Sequence, residues 1–448
     1  MAELKSATAG SLTLTRPCVK CRAQEATLDS RSQAVCRDCF IKFISAKCIK
    51  QIGILGKETR PPPSTTNGPP TGTRRYLLGL SFGVSSTVLL HLLNDNVEFQ
   101  LARGRSAPFE LTVIHIDDTP DDQTHRDHTS PSSTAAASET ILAQYSARYP
   151  RFTFHSVPLS SALANDPLEP SSPSSLPRLK EAAAATATAA TAMSNIMGAT
   201  TTAASRSDLK RQLTRRALLT QARARHCQAL LLGHSTTALA ETTLAEAAKG
   251  RGFAVPWLVG DGAAPLTSPS LRGGEGSSSA SAAAVGGAGG GGADDEDAGA
   301  GPVLVYHPLR DALRKELVTY AGLVDPPLTD LIDDGVQESK NGGSPRAATG
   351  AAVVSHKDLS IEEVMRKYFA EVEENYPSVV ANVARTTGKL VRAGEGAADG
   401  EWCGLCGMPL DEDGDERWRG ELGIQERTGT GPGFGSRLCY GCERSTAG

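Results

Sequence analysis

Aromatic residues are scarce. They make up 5% of the 448 residues, too few for the whole chain to be packed core, so part of it is expected to be linker or disordered insertion. Strong charge of one sign is also lacking. Lys and Arg number 46 against 50 Asp and Glu, and the formal net charge of −4 excludes a uniformly basic nucleic-acid coat while leaving room for local basic patches. No run approaches the ~18 uninterrupted apolar residues of a membrane span, so no membrane partner is expected. The opening residues Met1-Ala-Glu-Leu-Lys-Ser6 carry no apolar stretch, and no secretory leader is expected there. Gly (45) and Pro (26) stand above average combined usage of ~12%, which again points to linkers.

The cysteines are organised rather than scattered. Eight of the ten fall in four C-x-x-C pairs, Cys18/Cys21 with Cys36/Cys39 near one end and Cys403/Cys406 with Cys439/Cys442 near the other. Two residues between thiols let both sulfurs face one point, and two such knuckles close a four-cysteine site whose usual occupant is zinc. The first set has 14 residues between its pairs and the second 32, so the second closes over a longer loop. Disulfides or free thiols are the alternative for either set. Cys48 and Cys227 are left over, and Cys227, at the head of an apolar run, reads as a buried core residue.

Between the knuckles, short apolar strands alternate with helices. Strands are expected at Tyr76–Leu80, Leu111–Ile116, Phe152–Val157, Gln228–Leu232 and Val303–Tyr306. Helices are expected at Thr87–Leu93, from Ser235 to Lys249, and from Leu309 to about Leu323. Ser360-Ile-Glu-Glu363 forms a capping box that opens a helix to about Asn375, and Pro377 starts another to about Leu390. The pattern predicts an α/β fold with a parallel-sheet core. Residues 61–73 are a linker by composition, and 159–205, 262–301 and 335–352 read as disordered insertions. The expected organisation is a four-cysteine zinc module over 16–60, an α/β domain over 74–334, a helical segment over 355–392 and a second four-cysteine zinc module over 401–443.

The turn after the first strand carries the functional question. A small-residue turn between a parallel strand and a helix can hold phosphate on backbone N–H groups, and Ser81, Gly83, Ser85 and Ser86 suit that role. An ordinary strand-to-helix turn is the alternative. Gly79-Leu-Ser-Phe-Gly-Val-Ser-Ser86 resembles the pyrophosphate loop, Ser-Gly-Gly-x-Asp-Ser, of the adenine-nucleotide α-hydrolase or PP-loop enzymes. Gly233-His-Ser-Thr-Thr-Ala-Leu-Ala-Glu-Thr242 resembles the Gly-His-Asn-x-Asp-Asp-x-x-Glu-Thr segment of their tRNA-thiolating members, and His307-Pro-Leu-Arg-Asp-Ala-Leu-Arg-Lys-Glu-Leu-Val-Thr-Tyr-Ala321 is similar to their Pro-Leu…Lys-Glu…Tyr-Ala helix. With knuckles flanking such a core, the chain resembles the eukaryotic cytoplasmic tRNA 2-thiolation proteins over roughly residues 16–443, and within them the second, degenerate subunit.

The departures from the enzyme pattern matter as much. Phe82 replaces the first loop glycine and is expected to fill space where a phosphate would approach, while Ser85 replaces the loop aspartate. Thr237 and Ala238 replace the paired aspartates, and His234 and Glu241 remain. The core holds only Cys227, and without a thiolate there is no sulfur nucleophile. The resemblance therefore implies a non-catalytic subunit, cytoplasmic, forming a heterodimer with an active first subunit that uses ATP. It implies a role in 2-thiolating the wobble uridine of tRNAs for Lys, Glu and Gln, with sulfur from a thiocarboxylated ubiquitin-like carrier, and possible support for conjugating that carrier to proteins. An active ATP-dependent tRNA sulfurtransferase and a zinc-based interaction scaffold are the rival readings.

Two segments are basic. Arg206 to Arg225 carries Lys210, Arg211, Arg215 and Arg216 among seven cations with only Asp208 opposing, and Leu209, Leu213 and Ala217 recur on one helical face. Residues 16–60 carry ten Lys or Arg against four Asp or Glu. Both suit a phosphate backbone, and Lys210, Arg211, Arg215 and Arg216 are the tRNA-binding candidates, with Arg211 and Arg215 expected to be exposed. A solvated helix face is the alternative. His115, His155 and His234 read as core or turn histidines.

Overall fold

The computed structural model describes residues 16–60, 73–118, 133–164, 193–194, 196–198, 200, 202–264, 302–332, 360–392, 403, 405–410 and 438–447. Six strands form one sheet in the order β5-β4-β3-β6-β8-β7, parallel except for the edge strand β7. These are β3 (Arg75–Gly79), β4 (Glu110–Asp117), β5 (Thr153–Pro158), β6 (Ala229–Leu232), β7 (Gly262–Ala263) and β8 (Leu304–Tyr306). Strands β3 and β6 are almost wholly buried runs, as a sheet covered on both faces requires. The sheet is covered by α2 (Val84–Ala102), α3 (Ser133–Arg148), the short α4 (Ser161–Ala164), α5 (Ala203–Ala224), α6 (Thr236–Ala248), α7 (Val255–Val259) and α8 (Arg314–Leu323). One face carries a core of Leu78, Leu89, Val113, Tyr145 and Leu317, and the other a core of Leu77, Ile114, Leu213, Leu230 and Val305. The expected parallel α/β architecture is what the chain adopts.

The chain builds outward from β3 in both directions, to β4 and β5 on one side and to β6 and β8 on the other. The strand order therefore reverses between β3 and β6. In open α/β sheets the crevice at such a switch point, beyond the carboxyl ends of the strands, is where ligands bind.

Several boundaries differ from the sequence reading. The expected insertion 159–205 is narrower: Leu159, Ala162 and Leu163 pack into the core, as do Met193 and Ile196, and α5 begins at Ala203 with Thr202 as its N-cap. Isolated apolar side chains within Ala-, Ser- and Pro-rich sequence give no periodic signal. The insertion 262–301 likewise starts too early, because Gly262 and Ala263 are β7, held by two positions against β8. The helix expected from Leu309 starts at Arg314, after the turn that contains His307 and Arg310. Helix α3 carries no strong sequence signal. Residues 61–72, 165–192, 265–301, 335–352 and 393–400, which fall within the segments read as linker or insertion, lie outside the described residues.

The amino-terminal module is a hairpin with a two-residue turn, β1 (Leu28–Ser30) and β2 (Gln33–Val35), followed by α1 (Arg37–Glu58). Its turn residues Arg31 and Ser32 both have positive φ, the geometry that matches strand twist but usually calls for Asn or Gly. The module is pinned to the α/β core. Arg31 pairs with Glu316 at 2.7 Å, Arg37 donates to Leu323 O at 2.7 Å, and Gln51 donates to Asp311 at 2.8 Å. Farther along, α9 (Ile361–Asn375) and α10 (Pro377–Thr387) form a strongly amphipathic hairpin on α6, starting at the expected capping box of Ser360 and Glu363. Helix α11 (Tyr440–Ala447) closes the fold against α5.

Candidate functional site

Residues 80–83 join β3 to α2 at the switch point, and Ser85 and Ser86 lie in the first turn of α2. Phe82 sits at φ +60°, a left-handed conformation that a non-glycine residue adopts at a cost of roughly 1–2 kcal/mol. The residue that stands at the first glycine of the resembled pattern thus has a backbone conformation that glycine adopts freely. The ring does not stand in solvent. It is buried and stacked on His115 (centroids 4.0 Å, 23°) and on Tyr145 (5.6 Å, 24°), which offsets the backbone cost. His115 is fixed by Nδ1–H donating to Leu80 O at 2.9 Å, so it is a structural histidine.

The loop hydroxyls are turned on one another. Ser86 Oγ donates to Gly83 O at 3.0 Å and lies 3.2 Å from Ser81 Oγ and 3.3 Å from Ser81 N. Thr87 Oγ1 also donates to Gly83 O at 3.0 Å. The second loop presses against this one: a Cβ on Gly233 would stand 2.7 Å from Ser86 Cα and N, so only glycine fits. Ser235 then caps α6 by accepting from Ala238 N at 3.1 Å. Ser81 is exposed and Ser85 half-buried, while Ser86 is 4% exposed and internally bonded.

Beside this crevice, at the ends of β6 and β8, His234 and His307 stack with centroids 5.1 Å apart at 17°. Asp261 Oδ1 accepts from both Nδ1 and the backbone N of His307, each at 2.9 Å, and its other oxygen is held by Arg310. The carboxylate therefore fixes the His307 proton on Nδ1 and leaves Nε2 as a buried acceptor. Burial pushes the His307 pKa down, opposed by Asp261, and burial with His307, Arg211 and Arg215 pushes His234 well down. Both imidazoles are neutral at neutral pH. Neither His307 nor Asp261 carried a sequence signal of this pairing, since they lie 46 residues apart across the 262–301 insertion.

Neither thiol outside the two cysteine clusters is activated. Cys227 is 5% exposed and burial pushes its thiol up to about 11; Cys48, in α1, is pushed up to about 12. Both are protonated at neutral pH and are poor nucleophiles.

The structure brings each predicted cysteine set together. Within Cys18, Cys21, Cys36 and Cys39, and within Cys403, Cys406, Cys439 and Cys442, the sulfurs all lie within 4.8 Å of one another. Four sulfurs about 2.3 Å from a tetrahedral ion stand about 3.8 Å apart. Cys21 and Cys36 are separated by 3.8 Å and Cys406 and Cys439 by 3.9 Å, so the donor set and its spacing fit such an ion. The two first knuckles share one backbone device. Arg22 N donates to Cys18 O and Gly407 N to Cys403 O, each at 2.9 Å, and both fourth-position residues have positive φ. The thiols cannot all ionise unaided: backbone N–H groups, that of Cys21 foremost, pull Cys18 down to about 6, while burial and the neighbouring sulfurs push Cys39 up to about 12. A bound cation supplies what full deprotonation needs.

The predicted basic face is exposed only in part. Lys210 is half-exposed but paired with Asp118 at 2.7 Å. Arg211 pairs with buried Glu246, Arg215 donates to Trp257 O at 3.2 Å, and Arg216 is buried. Arg211 and Arg215, expected to be exposed, are thus half-buried and each has a partner. Helix α5 is covered by α4 and α11 as well as by the sheet, and the 3.6-residue pattern of leucines could not reveal this second cover. A third acidic group, Asp208, Glu246 and Glu362, is filled by Lys249, Arg251 and Arg211 and is an ion-pair network. In contrast, Arg16, Lys20, Arg22, Lys42, Lys50 and Lys57 of the amino-terminal module are exposed, with no ion pair among the described residues.

A family model described as cytoplasmic tRNA 2-thiolation protein 2 matches residues 360–431. The chain is 30% identical over 432 residues to the cytoplasmic tRNA 2-thiolation protein 2 of Phaeosphaeria nodorum, covering 96% of this chain and 94% of that protein. It is 32% identical over 369 residues to the protein of the same name from Sclerotinia sclerotiorum, covering 82% and 80%. Among solved structures, the U34-tRNA thiolase NcsA of Methanococcus maripaludis with its [4Fe-4S] cluster is similar with a TM-score of 0.45 and 13% identity, covering 88% of this chain and 96% of that one. No helix of the described residues is long and apolar enough to cross a membrane.

Proposed function

This chain belongs to the cytoplasmic tRNA 2-thiolation protein 2 family, and on that premise we propose that it is a non-catalytic subunit for 2-thiolation of the wobble uridine of cytosolic tRNAs for Lys, Glu and Gln. The observation that carries the non-catalytic reading is the crevice at the switch point. Its serines 81 and 86 hydrogen-bond within the loop, Phe82 and Ser85 stand at the glycine and aspartate positions, and the core thiol of Cys227 is protonated. Adenylation and sulfur transfer then belong to an active first subunit that binds ATP and forms a heterodimer with this chain. Sulfur reaches that subunit from a thiocarboxylated ubiquitin-like carrier. The two four-cysteine clusters hold zinc and shape the chain at both ends. The tRNA backbone is met by the exposed cations of residues 16–60 and by the half-exposed Lys210 and Arg211, while Arg215 and Arg216 support the fold of α5.

The test is nucleoside mass spectrometry of bulk tRNA from cells that lack the protein. Loss of 2-thiouridine at the wobble position, with its 5-side-chain modification retained, supports the reading; normal thiolation overturns it. ATP–pyrophosphate exchange by the purified chain separates the subunit from an enzyme in its own right. The expected outcome is none, and exchange that survives repurification would favour the active sulfurtransferase.

A further inference from the structure

The carboxyl-terminal knuckle is set into the α/β core. Cys439-Tyr440-Gly441-Cys442 lies on the turn Lys249-Gly250-Arg251 that ends α6. A Cβ on Gly441 would stand 2.6 Å from Arg251 Cγ and 2.8 Å from Lys249 O, so the knuckle backbone lies directly on the arginine stem. Arg251 is 1% exposed. Its Nε donates to Glu246 Oε2 at 2.6 Å and its Nη2 to Asp208 Oδ1 at 2.5 Å. Its remaining fork nitrogen, Nη1, points at Cys442 Sγ from 3.7 Å. The other oxygen of Asp208 accepts from Ser445 Oγ of α11 at 2.6 Å. One guanidinium thereby joins α5, the end of α6 and the second knuckle.

We propose that Arg251 is a positioning residue for a metal ion at Cys403, Cys406, Cys439 and Cys442, and that it links occupancy of this site to the packing of α5, α6 and α11. The inference rests on the reading that the cluster holds a metal. Four thiolates around a divalent ion carry a net charge of −2, and burying that charge is costly unless cations and N–H donors face it. Lys249, Arg251 and Arg211 already match Asp208, Glu246 and Glu362 in number, so these carboxylates add no uncompensated negative charge beside the sulfurs. The N–H···S contact then stabilises the thiolate of Cys442 directionally, and Arg215, whose charge faces Cys406, adds to the positive collar. The amino-terminal cysteine cluster is built differently. Cys21 is exposed, and its cationic neighbours Arg31 and Arg37 reach away to Glu316 and Leu323 O. Arginine control is thus specific to the carboxyl-terminal centre.

The experiment uses the full chain, wild type and R251Q, with C439S marking which metal belongs to the second site. Metal per chain is counted by plasma mass spectrometry, and release to a chelator is followed in time. The cobalt-loaded proteins are compared by their sulfur-to-cobalt charge-transfer absorption. The expected result is two metals in wild type, with the carboxyl-terminal one released about tenfold or more faster in R251Q, as for loss of an outer-shell partner. The charge-transfer band of that site shifts, and R251K restores part of both. Unchanged release and an unchanged band in R251Q would overturn the proposal. A wild type that holds one metal, lost on mutating Cys21 and unaffected by C439S, would instead overturn the metal reading beneath it. R251Q removes one cation from a network in which Lys249 still pairs with Asp208 and Arg211 with Glu246, so the double variant E246Q/R251Q, which keeps the remaining cations and carboxylates equal in number, carries the same test where R251Q does not fold.

Discussion

Phe82 shows how packing of one side chain can offset a strained backbone. Its backbone holds the left-handed φ of +60° that suits glycine, and its ring recovers the cost by stacking on His115 and Tyr145. Phe82→Ala keeps the strain and loses the ring, so it is expected to cost about 3–5 kcal/mol. Phe82→Gly loses the same ring but releases the backbone, so it should be about 1 kcal/mol less destabilising than the alanine variant. Urea denaturation of the two variants checks this order, and a glycine variant no more stable than the alanine one would contradict it. His307 makes a second residue-level case. Its folded pKa lies below the ordinary 6.5, so below that pH the unfolded state binds the proton first and stability falls as pH falls. The slope from this group reaches up to about 1.4 kcal/mol per pH unit. His307→Asn keeps an N–H for Asp261 but does not titrate, and it should flatten stability between pH 6.5 and 5.5 relative to wild type.

At the scale of elements, α8 has at its N-cap Leu313, whose side chain cannot accept a hydrogen bond, and its own Glu316 reaches back only to Leu313 N, at 2.9 Å. Its first N–H groups are taken by other segments: Arg314 N donates to Thr237 Oγ1 at 3.0 Å and Lys315 N to Glu373 Oε1 at 2.8 Å. Glu373 Oε2 also accepts from Thr237 Oγ1 at 3.0 Å. A position where the family pattern has an aspartate thus uses a carboxylate borrowed from α9. Glu373→Ala orphans these donors and should cost roughly 1–3 kcal/mol, whereas Glu373→Gln keeps an acceptor and should cost less. Limited proteolysis should find 361–387 cut faster in the alanine variant alone. The borrowed cap also shows where sequence reading stops. The strands β3, β4, β5, β6 and β8 and the knuckles were legible because alternation, apolar runs and C-x-x-C spacing are local. Glu373 with Thr237, Asp261 with His307 and Arg251 with Cys442 are pairings across 136, 46 and 191 residues, and no local period encodes them. The arginines of α5 were visible as charge, but the side they face is set by α4 and α11.

For the molecule as a whole, the distribution of free positive charge decides how RNA is met. Of the α5 cations, Arg216 is buried, Arg215 is half-buried against Trp257 O, and Lys210 and Arg211 are engaged in ion pairs, whereas those of 16–60 stand out on a module that Arg31, Arg37 and Gln51 lock to the core. A phosphate contact contributes counterion release, so each one lost should reduce the slope of log K against log salt by about 1. Lys42→Glu with Lys50→Glu is therefore expected to weaken tRNA binding by the purified chain, to lower that slope by about 2, and to leave its thermal stability unchanged. Arg215→Glu should act in the opposite way: it places a carboxylate beside Trp257 O and Cys406 and lowers stability, while the salt slope of whatever folds stays near that of wild type. Binding isotherms at three salt concentrations and a thermal melt of each variant separate the two. A reduced slope in the Arg215 variant with an unaltered melt would return the RNA contact to α5. A reduced slope in the Lys42/Lys50 variant with an unaltered melt would make the amino-terminal four-cysteine module, pinned to the core through Glu316, Leu323 O and Asp311, the part of this chain that meets the tRNA backbone.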